Sequence, residues 1–160
     1  MSLIEGDVAT VTLLTEKILR QSSCLRPPVP SNLVGLFDPG RHVHIQAIRC
    51  NGRRGGLWFQ DGEWLIQVNA REPERAQRFT IFHEGFHILR QTGVLAVASD
   101  DPAAVEWLAD RFAACLLMPE GWMREVATRV KRCRAMTMAG VFQVSQSAMR
   151  IRLAELGLVE

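Results

Sequence analysis

Arg78-Phe79-Thr80-Ile81-Phe82-His83-Glu84-Gly85-Phe86-His87-Ile88-Leu89-Arg90-Gln91 decides how the rest of the chain is read. His83 and His87 are four residues apart, so on a helix they share one face, one turn from each other. Two imidazoles in that relation can hold one zinc ion, with Glu84 beside it as general base. The competing interpretation is a surface helix with two solvated histidines. The neighbours Phe79, Ile81, Phe82, Phe86, Ile88 and Leu89 argue against it, because a helix this apolar is buried. Buried histidine and glutamate need partners.

A catalytic zinc takes three protein ligands and keeps one position open. Asp100-Asp101-Pro102 starts a second helix, with an acidic cap and proline at the first helical position, and Pro119 stops it after Met118. Glu106 and Asp110 lie four apart on it, at the border of the apolar face Ala109, Phe112, Ala113, Leu116 and Leu117. Glu106 reaching from this helix completes a two-histidine, one-glutamate site. Asp110 can accept the second ring N–H of a ligating histidine, which fixes the tautomer and raises ligand basicity. The alternative is a pair of solvated acids, which the border position disfavours.

A length of 160 residues suits one domain with its own core. Hydrophobic content of 48% and charged content of 22% are those of a soluble globular protein. A formal net charge of +2 gives no electrostatic case for nucleic acid or membrane. No apolar run approaches the roughly 18 residues that a bilayer requires. The first residues, through Glu5 and Asp7, are acidic where a signal peptide is basic. A cytoplasmic location is therefore expected. Cys24, Cys50, Cys115 and Cys133 are scattered and read as reduced thiols, not a disulfide frame.

Before the histidines the pattern is helix, then strands. Val8, Val11, Leu14, Ile18 and Leu19 have helical spacing, with Asp7 as expected N-cap. Residues 26–30 form an extended proline connector, and 31–37 a short helix. Val43, Ile45 and Ala47 alternate with His44 and Gln46. Asp61-Gly62 between two apolar runs predicts a hairpin, and Asn51-Gly52 marks another turn. The expectation is an α+β fold with a small antiparallel sheet of about three strands. The strand Trp64–Asn69 is expected to accept an extended peptide by strand addition.

After the second helix, a third runs from Pro119-Glu120 to about Arg132, with a basic face. The tail from Thr137 contains two helices joined at Val144-Ser145, a helix-turn-helix-like unit. As a DNA reader it would expose Gln146, Ser147, Arg150 and Arg152. The alternative, favoured by the small basic excess, is a helical pair that finishes the core.

Two blocks carry a family resemblance: Arg78 to His87, and Glu106-Trp107-Leu108-Ala109-Asp110-Arg111-Phe112-Ala113-Ala114-Cys115-Leu116-Leu117-Met118-Pro119. With the tail Val144 to Leu153 and the ending Leu156-Gly157-Leu158, they resemble the ImmA/IrrE metallopeptidases of bacteria and phages. The resemblance implies a gluzincin-like zinc site with ligands His83, His87 and Glu106, base Glu84 and supporting Asp110. The resemblance covers roughly residues 40–159, and the expected organisation is a zincin-like metallopeptidase domain over 1–135 with the helix-turn-helix-like tail, 136–160, packed on it. The resemblance implies a protein substrate, a helix-turn-helix transcriptional repressor. Phe86 stands where the family has glycine, and a narrowed cleft is the expected consequence. Many zinc peptidases stabilise the oxyanion with tyrosine or histidine, and this chain has no tyrosine. His42, His44, Asn69 or an arginine is left for that role. Two further functions remain open: a metal-containing protein that sequesters a repressor without cutting it, and a DNA-binding regulator that uses the tail.

Overall fold

The helical spacing of the first segment produces α1 (Leu3–Gln21), which packs on the third α-helix of the chain and buries Val11 and Leu19. The structure is a computed structural model that describes residues 3–132 and 134–159. Asp7 is not the cap expected of it. The helix begins a turn earlier, and buried Asp7 accepts from the backbone N–H of Ala98 at 2.7 Å and of Ser99 at 3.2 Å. A carboxylate inside a helix thus pins a distant loop. A 3-10 helix, Ser31–Leu36, follows the proline connector.

Three strands come next: β1 (Val43–Ile48), β2 (Gly55–Gln60) and β3 (Glu63–Asn69). Asp61 and Gly62 both have positive φ, 54° and 80°, as a two-residue hairpin turn of the primed type demands. β2 and β3 are antiparallel, with Leu57 opposite Ile66. The sheet is mixed, however, not antiparallel throughout: the order is β1-β3-β2, and β1 runs parallel to β3. The physical reason lies in the 49–54 loop. It is wide enough for β3 to insert between β1 and β2, and Asn69 at the end of β3 fills it. The Asn69 amide donates to the carbonyls of Cys50 and Arg53 at 2.9 and 3.0 Å, and its oxygen accepts from Arg71 N–H at 3.0 Å. As the central strand, β3 has no free edge for a peptide; the free edges belong to β1 and β2.

Beneath the sheet lies α2 (Glu74–Gln91), and α3 (Pro102–Leu117) packs against α2. Pro73 precedes α2, and Gly93, at φ 76°, follows its C-cap Thr92. The Asp101 carboxylate caps α3 by accepting from Ala104 N–H at 3.0 Å. Phe82 and Phe86 of α2, Phe112 of α3 and Phe37 meet in one buried cluster, with ring centroids 5.8–6.2 Å apart. Phe86 is wholly buried there, so the residue expected to narrow the cleft points into the core instead. Gly85 lies against the 3-10 helix: a Cβ on it would meet Phe37 at 2.6 Å and Val34 at 3.0 Å. Gly85→Ala is expected to cost about 1–3 kcal/mol, read as a lowered denaturant midpoint with unchanged slope.

The chain ends with α4 (Glu120–Arg129), α5 (Arg134–Phe142) and α6 (Gln146–Glu155). The basic face of α4 is partly neutralised, since Arg124 pairs with Glu120 and Arg129 with Glu125. Ser145 caps α6 through Ala148 N–H at 3.1 Å. Met138, Phe142, Met149 and Leu153 join the buried core shared with α2 and α3. Arg152, an expected DNA contact, is buried: its Nε donates to the Met118 carbonyl at 3.1 Å, and its Nη1 pairs with Glu155. A cation that anchors α6 to the end of α3 cannot also reach a phosphate. Arg78 ties α2 to the tail in the same way, donating to Gln143 O at 3.0 Å and to the Val29 carbonyl. Cys24, Cys50 and Cys115 are free thiols, whereas Cys133 lies outside the described residues. Among the described residues, no helix is long and apolar enough to cross a membrane.

Candidate metal centre

His83 and His87 leave α2 on the side that faces α3, and Glu106 meets both. One Glu106 oxygen is 3.0 Å from His83 Nε2 and the other is 3.0 Å from His87 Nε2. The three donor atoms lie within 4.8 Å of one another. Ligands of one tetrahedral zinc are roughly 3.3 Å apart, given bonds of about 2.0–2.1 Å. The donor set and its spacing therefore fit a metal ion. The side chain of His83 is only 6% exposed, whereas that of Glu106 is 58% exposed. The histidines form the floor of the site, and the exposed glutamate stands over them.

His83 is oriented from behind. Its Nδ1 lies 2.7 Å from an Asp110 oxygen, which leaves Nε2 turned toward Glu106 and His87. Burial pulls the His83 pKa down, but the hydrogen bond and charge of Asp110, with the charges of Glu84 and Glu106, outweigh it and leave it raised. For His87 burial prevails over Glu106, helped by the charges of His83 and Arg90, and its pKa is lowered. Glu84 is half-buried, and burial, with repulsion from Glu106, raises its pKa against the pull of His83 and Arg54. Such a carboxylate sits closer to neutrality than an exposed one, as proton transfer near neutral pH requires. Asp110 moves the other way: burial raises its pKa, but the bond to His83 and the charges of His83 and Arg54 bring it below its ordinary value.

The His83–Asp110 pair has a pH signature in metal-free protein. The His83 pKa is raised on folding, so its stabilisation is complete below its ordinary 6.5 and fades as pH climbs through the folded value. The Asp110 pKa is lowered on folding, so its stabilisation is complete above its ordinary 3.8 and fades as pH falls through the folded value. Asp110→Asn is therefore expected to lower the melting temperature of chelated protein most between those two values, and less on either side. The same variant is expected to weaken metal affinity at neutral pH by about 10–100-fold. Metal titration and melting curves from pH 3 to 9, taken as about 0.5-unit steps, check both.

The expected oxyanion donors have partners of their own. His42 and His44 lie together at β1, with ring centroids 6.0 Å apart, and His44 Nε2 is 2.7 Å from Glu63. Neither joins the His83–His87–Glu106 group. The Asn69 amide is committed to the 49–54 loop. Arg54 is a cation at the site: its Nη2 is 3.3 Å from Asp110 Oδ1, and its charge acts on Glu84. The sequence offered an arginine only in general terms. The local signal was Gly55, next in the chain: a Cβ there would overlap the Gln67 carbonyl and Thr80 Cγ2. Glycine at that position presses β2 onto α2 and brings Arg54 with it.

A family model for Peptidase_M78, the IrrE N-terminal-like domain, matches residues 43–154. The chain belongs to this family. Membership makes it one of a family of peptidases, and the matched range holds β1 to α6 together with the metal-compatible group His83, His87 and Glu106. Among solved structures, a Mycobacterium tuberculosis transcriptional regulator superposes with a TM-score of 0.67 at 14% identity, over 96% of this chain and 52% of that one. That likeness concerns the fold, and this chain spans about half the length of that protein. No curated protein matches the chain.

Proposed function

We propose that the protein is a zinc-dependent endopeptidase that cuts one protein partner, a helix-turn-helix transcriptional repressor. The observation that carries this reading is the convergence of His83, His87 and Glu106 with half-buried Glu84 beside them. Two imidazoles and a carboxylate with one open side suit zinc. When bound, the metal supplies Lewis acidity, polarising the scissile carbonyl and lowering the pKa of water. Glu84 takes the water proton and passes it to the leaving amine. Arg54, a permanent cation, faces the charge that develops on the carbonyl oxygen in a chain without tyrosine. Asp110 holds the His83 ring. The free edge of β2, pressed on α2 at Gly55, receives the extended substrate in place of β3.

The repressor follows from the family resemblance, and a cytoplasmic location follows from such a partner. Sequestration without cutting is the second reading, but binding alone needs no base at Glu84. Direct DNA binding loses one of its four expected contacts, because Arg152 is buried in the α3 contact while Gln146, Ser147 and Arg150 are exposed. The test is incubation of zinc-loaded protein with the repressor encoded beside its gene, and separately with casein. One discrete, chelator-sensitive cut in the repressor and little digestion of casein is expected. General digestion of casein overturns the narrow specificity, and repressor binding without a cut at any metal loading moves the assignment to sequestration.

A further inference from the structure

We propose that the cavity between α2, α3 and α6 is a subsite that receives one large apolar side chain, of the phenylalanine or leucine class, from the polypeptide being cut. This rests on reading the metal centre as a peptidase site. The cavity holds about 390 Å³ and is lined by Ala76 and Phe79 of α2, Trp107 and Ala114 of α3, and Ala148 and Ile151 of α6. That volume lies within the roughly 300–1,000 Å³ of ligand sites. One alanine from each helix makes the room. Trp107 is 48% exposed and Ile151 63% exposed, so large apolar surface faces the opening.

Position ties the cavity to the chemistry. Asp110 and Arg54 belong to its wall, and Asp110 is hydrogen-bonded to His83. The space thus starts one side chain away from the metal centre, on the α2 turns that precede His83. Charge argues against an anionic occupant. Each arginine in the wall already engages an acid: Arg54 with Asp110, Arg111 with Glu155 at 2.7 Å, and Arg152 with Glu155 at 3.1 Å. An anionic substrate side chain would have to displace one of these pairs, whereas an apolar one displaces only water and meets the apolar residues of the lining. The helix that resembles a DNA reader thereby turns Ala148 and Ile151 to the substrate.

The experiment uses isotope-labelled full-length Glu84→Gln protein, so that binding is read without cutting. N-acetyl-phenylalanine amide, N-acetyl-leucine amide and N-acetyl-alanine amide are titrated while NMR follows the Trp107 indole N–H and the Ala148 and Ile151 amides. Saturable shifts at these signals are expected for the first two probes, with affinity about tenfold or more above the alanine probe. Ala148→Phe, which fills the space, and Ile151→Asp, at an exposed position, are each expected to abolish the preference. Equal shifts for all three probes, shifts confined to other residues, or the same shifts produced by raising protein concentration alone would overturn the subsite. Probe binding to Glu84→Gln, with wild-type zinc-loaded protein that cuts no substrate, would overturn the peptidase reading and leave the apolar specificity of the cavity standing. Cutting that is indifferent to Ala148→Phe would overturn the subsite and leave the peptidase standing.

Discussion

Glu84→Gln is expected to reduce cleavage of the partner protein by on the order of a hundredfold or more, with metal content and fold retained. The argument starts from position. Glu84 follows buried His83 on α2 and is not among the three donors, His83, His87 and Glu106, that lie within 4.8 Å of one another. Removing its charge therefore leaves the metal ligands untouched. Glutamine keeps the shape of the protonated acid, and burial already pushes Glu84 toward that neutral form. Stability should be unchanged or slightly higher. What disappears is the basic oxygen that takes a proton from water and returns it to the amine. Three measurements on one preparation decide the matter: metal per chain, melting temperature, and initial rate of cutting. A variant that cuts as fast as wild type would remove Glu84 from the chemistry. A variant that loses metal along with activity would instead make it a ligand.

The parts of the fold written in local chemistry were legible in the sequence. Asp101 with Pro102 at the start of α3, Ser145 at the start of α6 and the Asp61-Gly62 turn each follow from side chains that bond or bend the adjacent backbone. The convergence of His83, His87 and Glu106 is reached from two local facts, a four-residue spacing and an acid at the border of an apolar face. The order of the strands was not legible. Alternation tells which residues share a face, not which strand lies beside which. Asn51-Gly52 looks like a tight turn, and only Asn69 filling the loop makes it a wide one. Arg54 meets Asp110 across 56 residues, and Arg152 meets Met118 across 34. Nothing near Arg152 in the chain distinguishes it from a solvated one, and Gly55 beside Arg54 marks a close approach of backbone without naming its partner. Asp7 has the same character: its position suits a cap, and its partners at Ala98 and Ser99 are a property of the folded chain.

Replacing both histidines, His83→Ala with His87→Ala, is expected to take bound zinc from about one equivalent per chain to none. Glu106 cannot hold the ion alone, because its side chain is more than half exposed and its bonds within the site are to the two rings. A single carboxylate in water has little preference for zinc over magnesium or calcium. The loss has a second readout that separates it from misfolding. A metal that binds the folded chain raises its stability by mass action, about 2.7 kcal/mol at a hundredfold excess over the dissociation constant. Chelator should therefore lower the melting temperature of wild type and leave that of the double variant unchanged. Glu106→Ala should fall between them, since the rings remain on α2 with His83 still held by Asp110. Stoichiometric zinc retained by the double variant, with an unchanged response to chelator, would place the metal elsewhere in the protein.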